Sequence, residues 1–403
     1  MLRYEEALDV ILHTVGPLSA EEVALPDALG RALAEEVTAC LDMPPADNSA
    51  MDGFAFAADG ISPPGELKVA GLSRAGAGFD GRVAPGEAVR IMTGAPLPPG
   101  CDTVAPLEEV IESAGRIRFE HPAKKGAHVR CRGEEFRCAE ALLGAGTILR
   151  AGEIGLLASA GIPRVRVHCR PNVALLTTGD ELVELGVHPG PGQIVNSNRY
   201  LLAARLQEEG CAVWPLETAG DSPETLTSLL ARGLQADLLI TTGGVSVGDY
   251  DLVQDCLNSL GFQLGFWKVA IKPGKPVLFG LAQGTPVFGL PGNPAAAAAT
   301  FQLFVRPALR RLCGFHAPLP PRCRATLTAA VRSDKARQRF LWGGVREENG
   351  RYLFTPSGTQ GSGQNRALQG AQALLPVAAG GNDLSAGQEV EVLLIYLPDG
   401  AAA

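Results

Sequence analysis

The sequence contains no run of about 18 apolar residues, the length that a transmembrane helix requires, so no membrane span is expected. It contains no Cys-x-x-Cys pair. Its nine cysteines, an odd number, are scattered singly between Cys40 and Cys323, which argues against a zinc site or a disulfide framework and for a reduced, cytoplasmic setting. The six histidines have neither metal-ligand nor triad spacing. There is no basic run, and 35 Lys and Arg against 43 Asp and Glu leave a net charge of −8, which disfavours nucleic acid as a partner. The opening stretch, Met1 to Glu6, lacks the pattern of a signal peptide and reads as the start of a helix. What is abundant is apolar material, 46% of 403 residues, enough for about two to four domains. Glycine (49) and proline (30) are spread through it, which implies a folded, turn-rich chain.

Apolar spacing predicts a helix over 3–14 and a second helical region over 20–37, broken near Pro26. From 41 to about 140, short strand-like pieces (66–69, 88–92, 103–107 and 116–119) between Gly/Pro turns imply a small β-rich domain. Residues 147–167 read as strand, helix, strand. After Asn172 the rhythm changes. Strands over 173–178, 211–216, 237–241, 277–279 and 287–290 are interleaved with helices over 198–209, 223–234, 251–260 and 294–312. That alternation predicts a mostly parallel sheet covered on both faces. Beyond the Pro318-Leu319-Pro320-Pro321 linker, short β segments predict a small barrel or sandwich.

Three strand ends share one grammar of apolar strand and glycine turn: Thr177-Thr178-Gly179-Asp180, Thr241-Thr242-Gly243-Gly244, and Leu290-Pro291-Gly292-Asn293. In an open parallel sheet such ends face one edge, where ligands bind. Gly243-Gly244-Val245-Ser246-Val247-Gly248 fits neither the dinucleotide nor the P-loop pattern, yet glycines after a buried strand let amides approach an anion closely. Asp249 and Asp251 follow it and can hold Mg²⁺; the alternative is a tight turn with an aspartate cap. Lys272-Pro273-Gly274-Lys275-Pro276 is a cationic loop suited to an oxyanion, or a solvated turn. Asp180, Glu181 and Asp221 lie at strand or helix ends, where carboxylates serve as metal or ribose contacts or as helix caps, and for Asp221 taken alone capping is the favoured reading. In the β-rich region three polar loops, 45–55, 90–96 and 130–135, carry Asp52, Thr93 and Glu135; spacing alone does not say that they meet.

Taken together, PADNSAMDGFA (45–55), RIMTGAP (90–96), RCRGEE (130–135), TTGDEL (177–182), TTGGVSVGDYD (241–251), AIKPGKP (270–276) and GLPGNP (289–294) resemble the molybdopterin molybdenumtransferase family, to which the C-terminal domain of gephyrin is similar. The resemblance spans nearly the whole chain. It implies an α/β plus β fold in four parts. These are a doubly wound, mostly parallel domain like that of molybdopterin adenylyltransferases (1–19 and 168–317), a small α/β linking domain (20–40 and 140–167), an inserted β-rich domain (41–139) and a C-terminal β-barrel (318–403). It also implies a cytoplasmic homodimer, with other proteins of molybdenum cofactor synthesis as further partners. The implied reaction is Mg²⁺-dependent cleavage of adenylylated molybdopterin, insertion of molybdate at the dithiolene and release of AMP.

Carried over by motif, Gly243, Gly244, Ser246 and Gly248 would hold the nucleotide phosphates, with Asp180, Pro291, Asn293 and Ser362 also lining the substrate. Asp221, Asp249 and Asp251 would be metal-linked. Lys272 and Lys275 would face the oxyanions, Glu181 would lie at the floor, and Asp52, Thr93 and Glu135 would close the cleft, from the other subunit. The chain departs from the family pattern at Glu135 (commonly Asp), at Ala295-Ala296 (commonly Val-Ser), at Trp342, where a second arginine is usual, and at Ala367, where a serine is usual. These departures leave open an adenylyltransferase-type or tungstate-handling paralogue, or a non-catalytic scaffold.

Overall fold

The computed structural model describes residues 1–59, 65–220, 222–244 and 252–398. Its central sheet has four parallel strands in the order Ala212–Pro215, Asn172–Thr177, Leu238–Thr242, Thr285–Leu290. Leu278–Ala282 and Phe262–Trp267 extend it antiparallel; the latter strand is not apparent in the sequence pattern. Successive residues of a strand serve opposite faces. Val173, Leu175 and Ile240 pack with Tyr4–Thr14, Ser197–Glu208 and the helix beginning at Pro294, whereas Ala174, Leu176 and Leu239 pack with Pro223–Gly233 and Leu252–Ser259. The sheet is therefore doubly wound. From Asn172–Thr177 the chain moves to one side, to Ala212–Pro215, and then returns to the other side as Leu238–Thr242. The crevice at the carboxyl ends of those two central strands is the topological switch point.

The expected long helix over 294–312 is continuous but has a π turn, Phe301–Val305, between Pro294–Thr300 and Arg306–Leu312. Pro307 has no amide to donate back along the helix, which accounts for the altered turn.

The expected helix over 20–37 is not formed. Ala20–Ala24 is a strand paired antiparallel with Arg164–His168, followed by a 3₁₀ turn, Leu25–Ala28, and Val37–Thr38 pairs with Ala141–Leu143. Pairing places Val23, Val165 and Val167 in one core with Leu33 and Leu157, and that burial outweighs the helix propensity of the Ala, Leu and Glu residues. Residues 147–150 form no strand, only an isolated bridge of Ile148 to Ala32.

The β-rich region forms a six-stranded sheet around Phe54, Phe56, Ile117 and Phe119. In the C-terminal region Gln338–Glu348, Arg351–Pro356, Arg322–Leu327, Glu389–Leu394 and Ala373–Val377 close on themselves as a five-stranded barrel. Ile271–Lys272 adds to it in parallel, opposite Gln338 and Arg339. Phe340, Trp342 and Leu374 of the barrel enter the same core as the helices of the α/β sheet, so the lysine loop is held between two packed units. Among the described residues no helix is long and apolar enough to cross a membrane.

Candidate active site

The three glycine turns leave the sheet side by side. Thr177 is in register with Thr242, and Thr242 with Leu290. Gly243 has φ +93°, and a Cβ there would lie 2.3 Å from the Thr178 carbonyl oxygen. A Cβ on Gly292 would lie 3.7 Å from the Gly243 Cα, so two of the turns face each other at van der Waals distance. Only glycine allows this approach at Gly243.

Two asparagines fix the turns. Asn198 Nδ2 donates to Thr242 Oγ1 (2.9 Å) and to the Gly292 carbonyl (2.8 Å), and Thr242 Oγ1 donates to the Pro291 carbonyl (3.1 Å). Asn196 caps the helix Ser197–Glu208 by accepting from the Arg199 amide, while its Nδ2 donates to Thr177 Oγ1 (2.7 Å) and Thr218 Oγ1 (3.2 Å). Asn198 is 8% exposed, and its Oδ1 is buried with no hydrogen-bond partner. Such an atom is costly unless something satisfies it. In the sequence, Asn196, Ser197 and Asn198 offer themselves as possible caps of this helix; three consecutive polar residues after Ile194-Val195 are the local signal of a further role.

These groups border a cavity of about 700 Å³, whose wall includes Thr178, Glu181, Asn198, Gly243, Gly244, Pro276, Pro291, Asn293, Gly363 and Asn365. Of the expected site residues, Glu181, Gly243, Gly244, Pro291 and Asn293 are thus brought together. Ser362 adjoins them: Asn293 Nδ2 donates to its hydroxyl (3.3 Å), and its carbonyl accepts from the Ala295 amide (2.9 Å). Asp180 lies at the same edge, where a Cβ on Gly220 would meet its Oδ1 at 2.8 Å. Asp221, Ser246, Gly248, Asp249 and Asp251 lie outside the described residues.

Neither lysine belongs to the cavity wall, although Pro276 does. Lys272 Nζ lies 3.4 Å from Asp334 Oδ2, and the Asp334 carboxyl is held below its ordinary value chiefly by the Ala336 amide. Lys275 is half-buried and has no ion pair among the described residues. Ala295, Ala296, Trp342 and Ala367 are all buried, and Trp342 Nε1 reaches the Ala295 carbonyl at 3.4 Å, so these departures form apolar packing.

The three loops of the β-rich region do meet, around Asn48 and Ser49. Val129–Arg130 pairs with Asn48–Ser49, the Ser49 amide donates to Ala95 and its carbonyl accepts from Gly94, and the Arg132 amide donates to Asp47 Oδ1 (2.7 Å). Asp52 Oδ1 accepts from the Thr93 amide (2.7 Å) and hydroxyl (2.8 Å), and these bonds, the amide first, hold its carboxyl below the ordinary value. Glu135 is exposed in the third loop. None of these residues lines the cavity.

A polar cavity at the switch point of a doubly wound sheet, beside a five-stranded barrel, defines an α/β protein with a small-molecule site. Comparison with known proteins makes this specific. Residues 2–161 match the MoeA N-terminal region (domain I and II), 174–311 a probable molybdopterin binding domain, and 324–395 the MoeA C-terminal region (domain IV). Molybdopterin molybdenumtransferase from Nostoc sp. is 36% identical, over 96% of this chain and 92% of that protein. Molybdopterin molybdenumtransferase 2 from Mycobacterium tuberculosis is 36% identical, over 92% of this chain and 94% of that protein. The crystal structure of a molybdopterin biosynthesis MoeA protein from Pyrococcus horikoshii superposes with a TM-score of 0.84 at 32% identity, covering 98% of this chain and 99% of that one. The chain belongs to the molybdopterin molybdenumtransferase family and is a transferase of molybdenum cofactor biosynthesis.

Proposed function

We propose that the cavity binds adenylylated molybdopterin, and that the protein inserts molybdenum from molybdate into it with Mg²⁺-dependent release of AMP. The observation that carries this reading is the level alignment of three glycine turns around one polar cavity. The Gly244 amide is suited to a phosphate oxygen, being fixed before the ligand arrives, while the Gly243 amide donates to the Leu290 carbonyl (3.3 Å) and holds the turn that presents it. Asn198 keeps the two facing turns together and offers its unpartnered Oδ1 to a donor on the substrate. Asn293 and Ser362 tie the barrel to the third turn. Lys275 and Lys272 supply positive charge for molybdate from the loop whose Pro276 forms part of the wall.

Magnesium asks for hard oxygen donors. Glu181 on the wall and Asp180 against Gly220 provide them in kind. Among the described residues no three His, Cys, Asp or Glu side chains could hold a metal ion, so the site would draw on Asp221, Asp249 or Asp251 as well. When bound, Mg²⁺ would offset negative charge on the phosphoanhydride.

The Asp52–Thr93 pair and Glu135 act, in this reading, on the cavity of a second protomer in a cytoplasmic homodimer. The test is to supply adenylylated molybdopterin, Mg²⁺ and either molybdate or tungstate, and to follow AMP and active cofactor. Molybdate-dependent AMP release is expected. Binding without turnover would support a ligand-binding scaffold, and a preference for tungstate would identify a tungsten-handling relative.

A further inference from the structure

A second cavity, of about 330 Å³, lies away from the sheet edge, between the linking core and the α/β core. Arg31, Ala32 and Ile148 come from one side, and Arg170, Arg306, Arg310 and Cys313 from the other. Its wall carries four arginines against two glutamates, Glu208 and Glu209, in a chain whose net charge is −8. The imbalance is built in. One carboxylate, Glu209, serves two guanidiniums: Oε1 lies 2.5 Å from Arg306 Nε and Oε2 3.0 Å from Arg310 Nε. Arg306 is 8% exposed, and its Nε, though close to Glu209, lacks the alignment of a hydrogen bond. Its Nη1 donates to Gln302 (3.3 Å), and Nη2 has no hydrogen bond to the described protein. Arg310 uses only Nε. Arg170 has no ion pair or hydrogen bond among the described residues. Arg31, by contrast, is held through Nε and Nη2 by Glu21 and the His168 carbonyl and serves as a fixed wall.

A network meant only to join two domains would pair each guanidinium, because a buried, unpaired charge is costly. Here Arg170, Arg306 and Arg310 line one cavity, and Glu209 is the one carboxylate among the described residues that pairs with any of them. Burial drives the Arg306 guanidinium below its ordinary value, with Arg310 adding to that shift against Glu209. Burial, with Glu209, pushes the Cys313 thiol up to about 11, against the charges of Arg31, Arg170 and Arg310.

We propose that this cavity binds a dianionic phosphate group, free or carried on a small metabolite, with Arg170, Arg306 and Arg310 as its cationic contacts. With Arg31 paired to Glu21 and Glu208 paired to Arg205, three arginines remain against Glu209; the two excess positive charges match a dianion, and forked guanidinium donors suit tetrahedral oxyanions. The volume, at the lower end of ligand pockets, leaves room for a small organic body beside the phosphate.

Cys313 provides a local readout that the sheet-edge cavity cannot mimic. Its alkylation by iodoacetamide in the full chain, resolved by peptide mass spectrometry, is measured against inorganic phosphate and against glycerol 3-phosphate at constant ionic strength. Saturable protection is expected. R170A and R310Q should each raise the half-protecting concentration about tenfold, the equivalent of one charge-assisted contact, and K275A should leave it unchanged. Arg170 is exposed and unpaired, so R170A tests binding even if R310Q disturbs folding. Tighter protection by the ester identifies a phosphorylated metabolite; tighter protection by the inorganic ion identifies free phosphate. Either ligand failing alone leaves the other as the source. Failure of both up to tens of millimolar, protection that survives both arginine variants, or protection abolished by K275A would overturn the proposal.

Discussion

At the sheet edge, polar groups hold one another: Asn198 binds Thr242 and Gly292, Asn196 binds Thr177 and Thr218, and the glycine turns stand level around a cavity. In the β-rich region, three loops likewise converge, on Asn48 and Ser49, but their charged groups are exposed and border no part of that cavity. The first region is a preorganised receptacle with mostly uncharged walls, in which Glu181 is the one ionisable group among the described lining residues. The second presents Asp52 and Glu135 on hydrogen-bonded loops, exposed and outside the cavity wall. The two do not share a wall within one protomer, and the proposed reading has one protomer's loops serve another's cavity.

The largest effect should come from disturbing the receptacle. Gly243→Val places a β-branched side chain at φ +93° against the Thr178 carbonyl and should cost about 3 kcal/mol or more, with AMP release lost. A denaturation midpoint close to that of the parent would contradict the close approach. Lys275→Ala should lower the rate of AMP release about a hundredfold while stability stays within about 0.5 kcal/mol, because the side chain has no partner among the described residues to lose. A rate near wild type would remove the lysine from the chemistry. Asn198→Ala should cost about 2 kcal/mol by leaving the Gly292 carbonyl unpaired, with a rate loss nearer tenfold. Urea unfolding and steady-state assay separate the two.

The comparison is sharpened by mixing Asp52→Ala with Lys275→Ala protein. If loops and cavity come from different subunits, mixed dimers regain one intact site, and activity should rise toward about a quarter of wild type by random assortment. If both lie in one protomer, the mixture stays inactive. The smallest effect concerns pH. The Asp52 carboxyl is held below 3.8, so its contribution to stability is present above that ordinary value and is lost as pH falls through the lower folded value. Thr93→Val removes the hydroxyl donor and should move the Asp52 titration upward, as followed by carboxyl NMR, with little change in stability at neutral pH.

Much of this architecture was legible because local patterns agreed with it. Val173 to Thr178 and Leu238 to Thr242 are short apolar runs ended by glycine, and the motif stretches identified the family before any contact was known. Two kinds of feature were not legible. Residues 20–37 contain strong helix formers, and only their antiparallel pairing with Arg164–His168, 140 residues away, makes the first part a strand. Asn196 and Asn198 read as ordinary caps because nothing local shows that Thr242 and Gly292 arrive beside them. The antiparallel strand Phe262–Trp267 was missed for the same reason: its partner, Leu278–Ala282, supplies the pairing that its own residues do not announce.

The most direct test of the account is a crystal structure with AMP, Mg²⁺ and molybdate bound. The expected result is the AMP phosphate within hydrogen-bonding distance of the Gly244 amide, between the turns that follow Thr177, Thr242 and Leu290, with the Gly243 amide still on the Leu290 carbonyl. A nucleotide held elsewhere, with the Gly244 amide bound only to water, would contradict it.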